Sequence, residues 1–387
     1  MALILARSPY FIERGDYDTG STLSVNIGYV NDSNIYVSLK IYILTFSSET
    51  HLDISPLIRD YLIDYEVVQV TTTVFGTIDN VAPETPDIRN FVATDGYGYY
   101  EEGANKDHTD LLKDINGYYA GSNNVVYRNR DEPVTIPLLN PEIDVSSNNS
   151  TTLVFYKGNY ITSTKDVDLD TPQTNSNNFL ETVKRIQYVT QDTIYSFQER
   201  VENDLDSTIE LINLSRIYDY LYVANTPDRV VISPKGDASK SFELTIVPIQ
   251  ECKYPTNKLI FKNKLGVEED LWFFKKSTHN ISTKRESFRA NTLSSYISGD
   301  KSKHSHSSYN LNGRQTMSLN TGFIPESFKE NIKQLMLSEK VWIMVGDDKL
   351  PITIKDSDME LKTSLNEKLI NYEIEIEFAY DIINNIG

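Results

Sequence analysis

The sequence predicts a mainly β protein: multi-domain β-sandwich-like modules with a few short helices. Short runs of period-two hydrophobicity recur along the chain, each bounded by Gly, Asn, Asp or Ser, the punctuation of antiparallel strands. The hydrophobic fraction is 39%, yet 25 Tyr and 15 Phe raise the aromatic content, a mixture suited to half-buried strands rather than helical bundles. At 387 residues the chain exceeds the usual single core, so two or three domains are expected. The expected division is an N-terminal β-domain over 1–150 with a Tyr-rich loop at 92–124, a small central β-domain over 151–250, and a C-terminal β-domain over 251–387 with one amphipathic helix near 324–338.

The elements follow in order. "STLSVNIGYV" (21–30), "NIYVSLKIYIL" (34–44) and "YEVVQVTTTVFG" (65–76) read as strands. In the second, Val37, Leu39, Ile41 and Ile43 fall on one face, expected to be buried, and Tyr36, Ser38, Lys40 and Tyr42 on the other. "DISPLIRDYLID" (53–64) breaks the alternation. Ser55 is placed to cap, Pro56 suits the first helical position, and Leu57, Tyr61 and Leu62 follow at helical spacing. The polar stretch 141–180 suits a domain boundary, with one strand, "TLVFY", inside it. Residues 193–223 admit a helical reading, but "RVVISPKGDASKSFELTIVPI" closes the region with strand, turn and strand, so it is assigned to the β-domain. Residues 299–315 read as a polar tract. A helix then starts near Ile324, with Phe328, Ile332, Leu335 and Met336 in one stripe. "EKVWIMV", "KLPITI" and "YEIEIEFAYDI" are strands. The last puts Ile374, Ile376 and Phe378 on one face, and Glu373, Glu375 and Glu377 on the other, facing water.

Charge and motif content exclude several function classes. The formal charge is −18, with 55 acidic against 37 basic residues, which repels a phosphate backbone, so sequence-specific nucleic-acid binding is not expected. Such an acidic wall still lets a duplex slide past. The single cysteine, Cys252, has no partner for a disulfide or a Cys/His zinc pattern and reads as a buried structural thiol. Asp166, Asp168 and Asp170 in "DVDLDT" match the opening of a calcium loop, but Thr171 and Asn177 stand where the loop needs Gly and Glu. His304 and His306 lack a third ligand. Neither Glu101-Glu102 nor Glu268-Glu269 suits a glycosidase dyad, since adjacent carboxylates point apart, and both pairs read as surface charge. With no assembled catalytic constellation, an enzyme is disfavoured, and no cofactor or metal is expected. No signal segment and no run long enough to cross a bilayer is seen, so a soluble protein made in the cytoplasm is expected, without membrane insertion.

Two stretches are candidate contact surfaces. In "KYPTNKLIFKNKLGVEEDLWFFKK" (253–276), two strands joined by a tight turn carry apolar residues on both faces. Leu259, Phe261, Trp272 and Phe274 are the candidate interface residues, one face packing on the chain's own core and the other on a neighbour. The alternative is that helix and sheet of the same domain cover both faces. In the loop 92–124, Tyr97, Tyr99, Tyr100, Tyr118 and Tyr119 are candidate contacts, because Tyr supplies amphipathic area at low entropic cost.

Glu251-Cys252-Lys253-Tyr254, Phe261 and Asn263 before Gly266, and Trp272-Phe273-Phe274 followed by Lys275-Lys276-Ser277 form a block. Together with "LARSPYFI", "LDISPLIRDYL" and the carboxy-terminal stretch from "TGFIPESFKENIKQL" to "YEIEIEFAYDIIN", it resembles virion structural proteins of tailed bacteriophages, particularly those of Bacteroidetes-type or marine hosts. The blocks span about half of the chain in the same order. The resemblance implies a structural component of the particle: an oligomeric tail ring, baseplate or fibre-adaptor subunit, partnered by copies of itself and by other tail or neck proteins, in the virion after synthesis in the host cytoplasm. It implies no catalytic residues. The rival expectation is a receptor- or glycan-binding module of a tail fibre or spike that uses the Tyr-rich loop.

Overall fold

The computed structural model describes residues 2–30, 36–48, 50–63, 67–81, 86–104, 120–129, 135–139, 150–168, 181–190, 193–203, 209–213, 228–234, 241–251, 253–290, 304–346, 348–356 and 369–383. The fold is mainly β, with several sheets and only short helices. It divides into two units, Met1–Ile249 with Phe261–Asp270, and Gln250–Ile260 with Leu271–Gly387. The sequence places a further boundary at 150, but strand pairing crosses it. Strand β8 (Val125–Arg128) pairs in parallel with β16 (Phe242–Pro248), and β9 (Thr135–Leu139) pairs with β14 (Ile209–Asn213). Strands before 150 thus complete sheets built after it.

The first unit opens with a sheet of order β1-β7-β6-β3-β4: β1 (Ala2–Leu5), β3 (Thr22–Val30), β4 (Tyr36–Thr45), β6 (Val67–Phe75) and β7 (Asp87–Thr94). A two-stranded piece, β2 (Phe11–Glu13) with β5 (His51–Asp53), accompanies it. Ile4, Leu23, Val25, Ile27, Val68, Val70 and Ala93 form the inner face of the core. The alternation expected in β4 fails at a bulge. Ile27 pairs with Lys40 but Gly28 pairs with Ser38, so Leu39 is skipped. From Lys40 onward Tyr42 and Leu44 lie opposite buried Val25 and Leu23, and pack on the core. Ile41 and Ile43 are therefore turned outward, 54% and 73% exposed. A single extra residue inverts every side chain beyond it.

Helix α1 (Ser55–Arg59), continued by a 3-10 turn Asp60–Ile63, follows as expected, but with a different stripe. Ile54, Ile58 and Leu62 are buried at i, i+4, i+8, while Leu57 and Tyr61 are only partly buried. Ser55 does not cap. Its hydroxyl and its backbone N–H both donate to Asp53 Oδ1, at 2.8 and 3.0 Å, and the Tyr10 N–H adds a third bond at 3.0 Å.

The same unit holds a five-stranded sheet, β11-β10-β15-β16-β8, and a four-stranded one, β12-β13-β14-β9. The strands not yet given are β10 (Ser150–Lys157), β11 (Tyr160–Asp168), β12 (Glu181–Thr190), β13 (Thr193–Asn203) and β15 (Arg229–Pro234). Of the stretch 193–223 that also admits a helical reading, the described residues, 193–203 and 209–213, are strands. Leu153, Phe155, Val230, Ile232 and Leu244 are buried. Asp166 and Asp168 lie in β11, and Asp170 lies outside the described residues.

The second unit is organised by a seven-stranded sheet, β18-β17-β22-β23-β25-β20-β19. Its strands are β17 (Asn257–Lys262), β18 (Glu268–Phe273), β19 (Thr278–Arg289), β20 (His306–Asn320), β22 (Val341–Val345), β23 (Asp348–Ile354) and β25 (Glu373–Phe378). A short pair, β21 (Ile324–Pro325) with β24 (Leu369–Ile370), leads into a 3-10 turn, Glu326–Phe328, and helix α2 (Lys329–Leu337). Phe328, Ile332 and Leu335 are buried, as their spacing predicts. Ile374 and Ile376 pair with Leu319 and Met317, and all four are buried together with Phe378. The opposite face of β25 is not a bare row of carboxylates. Ser318 donates to Glu373 at 2.7 Å, Lys355 to Glu375 at 2.8 Å and Arg314 to Glu377 at 2.9 Å.

Candidate interaction surfaces

The turn between β17 and β18 is a plug held by polar bonds. Asn263, buried, accepts from the Leu265 and Val267 N–H groups at 3.0 and 3.2 Å through Oδ1, which closes the turn. Its Nδ2 donates to the Ala120 carbonyl at 2.8 Å and to Glu269 Oε2 at 3.1 Å. Glu269 also accepts from the Ser122 hydroxyl at 2.7 Å and from the Ser122 N–H at 3.2 and 3.1 Å. Burial pushes its carboxyl above the usual range, and the bonds from Ser122 and Asn263 only partly oppose this. Glu269 is thus not the surface charge its place in an acidic pair suggests.

The backbone fits as tightly as the side chains. Thr94 Oγ1 donates to the Leu265 carbonyl at 2.8 Å, and the Tyr97 N–H to the Lys264 carbonyl at 2.8 Å. Gly266 has φ +79°, and a Cβ there would lie 2.8 Å from Gly96 N and 2.9 Å from Asp95 N. Only glycine meets both demands. Apolar Leu3, Leu5, Val92, Ala120 and Val267 cluster beside these bonds.

This plug uses much of the Tyr-rich loop. Tyr97 is buried, with the Arg7 guanidinium 4.9 Å from its ring and Tyr99 packed edge-on at 5.9 Å. The Lys264 ammonium sits 4.5 Å over Tyr99 and pairs with Glu102, which also accepts from the Tyr99 N–H at 2.8 Å. Tyr100 alone among the described members is open, at 100% exposure. Tyr118 and Tyr119 lie outside the described residues.

The four hairpin residues do not share one surface. Leu259, Phe261 and Trp272 are buried by the chain itself, as are Leu271 and Phe273, while Ile260 is partly buried. The Lys258 ammonium lies 5.6 Å over the Trp272 ring. Phe274 is half-buried beside Gly322, where a Cβ would come within 2.7 Å of its ring. Glu251, whose carboxyl is held below the usual range mainly by Lys275, bonds that ammonium at 2.6 Å. Cys252 lies outside the described residues.

The uncovered surface lies elsewhere, on the hairpin of β19 and β20. Every residue of β19 is exposed, and so is most of β20 from His306 to Leu311. Along β20, β25 pairs with Thr316–Asn320, and residues after β25 add bonds from the Ile382 N–H to Gly313 and from the Ile383 N–H to Asn312. Beyond these the hairpin is a two-stranded arm, about 20 Å long for its last six residues. Between Lys284 and Glu286 the register shifts: Arg285 stands opposite Asn310 and Leu311, and Asn310 has φ +49°. Past this bulge Phe288 and Tyr309 meet edge-on at 5.7 Å while remaining 52% and 50% exposed. The expected polar tract 299–315 is therefore in large part strand, with His306 opening β20 and both His304 and His306 exposed. Among the described residues no group of three His, Cys, Asp or Glu side chains is placed to hold a metal, and no helix is long and apolar enough to cross a membrane.

Comparison with protein-family models and with curated proteins finds no match to this chain.

Proposed function

We propose that this protein is a non-enzymatic structural subunit of a tailed-phage particle, working as an oligomeric ring or adaptor in the tail. The observation that supports this reading is that two sheets end in long edge strands with outward apolar residues. Strand β4 presents Ile41 and Ile43, and β19 presents Ile281 and Phe288. In a monomer such edges invite unwanted pairing, whereas in a repeating assembly they are the joints. The resemblance of the terminal and hairpin blocks to phage virion proteins points the same way. The glycan-binding alternative draws less support, since Tyr97 and Tyr99 are occupied by Arg7, Lys264 and each other.

Immunogold electron microscopy of purified particles, with antibody raised against this chain, tests the reading. Label along the tail or at its ends near the head is expected. Label confined to distal fibres, to the capsid, or absent from particles overturns it.

A further inference from the structure

Resting on that reading, we propose that the β19–β20 arm is the donor in a head-to-tail contact, its distal half seated against the acidic body of a second copy of this chain. The arm has no core of its own. An isolated two-stranded ribbon is marginal in water, yet this one carries Phe288, Tyr309 and Leu311 exposed in its distal half. Side chains of this kind gain most from a partner that buries them, and aromatic pairs are efficient anchors.

Charge selects the occupant. Strand β19 holds Lys284, Arg285 and Arg289 against a single acid, Glu286, in a chain whose formal net charge is −18. Among the described residues these three cations have no ion-pair partner within the chain. A basic arm on an acidic protein is complementary to another copy of that protein, which also steers the encounter. Two arms meeting edge to edge across a two-fold axis would instead set Lys284, Arg285 and Arg289 of one copy near those of the other. Like charges across a strand pair are destabilising, so the contact is heterologous, the kind that builds rings. A nucleic acid fits less well, since the remainder of the chain repels a polyanion.

Sedimentation velocity on the full chain tests this, with the wild type beside Phe288→Ser/Tyr309→Ser and Lys284→Glu/Arg285→Glu/Arg289→Glu. All five positions are exposed, and unchanged circular dichroism checks the fold. Wild-type self-association is expected to weaken between about 50 mM and about 500 mM NaCl, and each variant to associate at least about tenfold more weakly at low salt. Variants that assemble like the wild type overturn the role of the arm and leave the ring reading intact. A wild type that stays monomeric overturns docking on a second copy, while tail labelling separately decides the ring reading. Retention of a DNA duplex by the wild type but not by the charge-reversed variant would assign the arm to nucleic acid and overturn the proposal.

Discussion

Replacing Asn263 by Ala removes one small side chain and four hydrogen bonds. Oδ1 accepts from Leu265 and Val267, and Nδ2 donates to Ala120 and Glu269. A buried bond contributes about 0.5–1.5 kcal/mol net, and each buried group left without a partner costs about 1–3 kcal/mol. Asn263 and Val267 are both buried, so water does not readily replace what is lost. Summed with allowance for relaxation, Asn263→Ala should cost about 3–5 kcal/mol. In a unit of this size that lowers the midpoint of thermal unfolding by roughly 10 °C. Thermal and urea unfolding followed by circular dichroism supply the number. Hydrogen exchange at Leu265 and Val267 supplies the place, since those amides should lose protection first. Asn263→Asp is the companion: it keeps the acceptor for both amides but sets a second carboxyl beside Glu269. Its penalty should shrink as pH falls through the raised range of the Glu269 carboxyl, where one of the two carboxyls takes up a proton, while that of Asn263→Ala should not. A loss under about 1 kcal/mol for Asn263→Ala would show that the turn closes without its side chain and would refute this account.

Two further outcomes are expected. Burial raises the Glu269 carboxyl above its ordinary value, so the folded state holds this proton more tightly than the unfolded chain. Its contribution is then complete below the unfolded value, about 4.3, and is lost as pH rises through the higher folded value. Glu269→Gln should remove that part of the pH dependence, so the stability of wild type relative to variant is greatest in acid; a flat difference curve would count against it. Trp272→Asp should leave the second unit insoluble or unfolded, because a buried carboxylate replaces a buried indole. A soluble variant with native near-ultraviolet circular dichroism would place Trp272 at a surface instead.

Many strand positions were legible because half-buried strands write their exposure into alternate residues. The strand ending in Ile374, Ile376 and Phe378 is the clearest case, and all three are buried. Two kinds of feature were not legible. The bulge at Leu39 leaves no mark in a two-residue period, since the partner strand and its buried Leu23, Val25 and Ile27 decide which parity wins. The arm was missed for the opposite reason. With both faces in water, "THNISTKRESFR" carries no alternation at all, although it is twelve residues of continuous strand. In the plug, Asn263 stood in a recognised block, but the bonds that give it meaning run to Ala120 and Glu269, and the first partner is 143 positions away. The apolar residues on both faces of the hairpin correctly signalled double burial; the chain itself supplies the cover for Leu259, Phe261 and Trp272.

The bond from Thr94 to Leu265 joins residues 171 positions apart, and this separation orders events in time. As the chain leaves the ribosome, Leu3, Leu5 and Val92 exist long before Val267, the side chain that clusters with them. At about 5–20 residues per second that interval lasts roughly 10–35 s. During it the amino-terminal sheet has its inner core but lacks part of its outer cover, a state that is prone to associate wrongly. The tip therefore closes a folding reaction begun at the opposite end of the chain, and contacts of such span are slow to form. Truncation between residues 250 and 262 should for this reason harm the first unit as well as the second, even though most of the first unit's sequence would still be present.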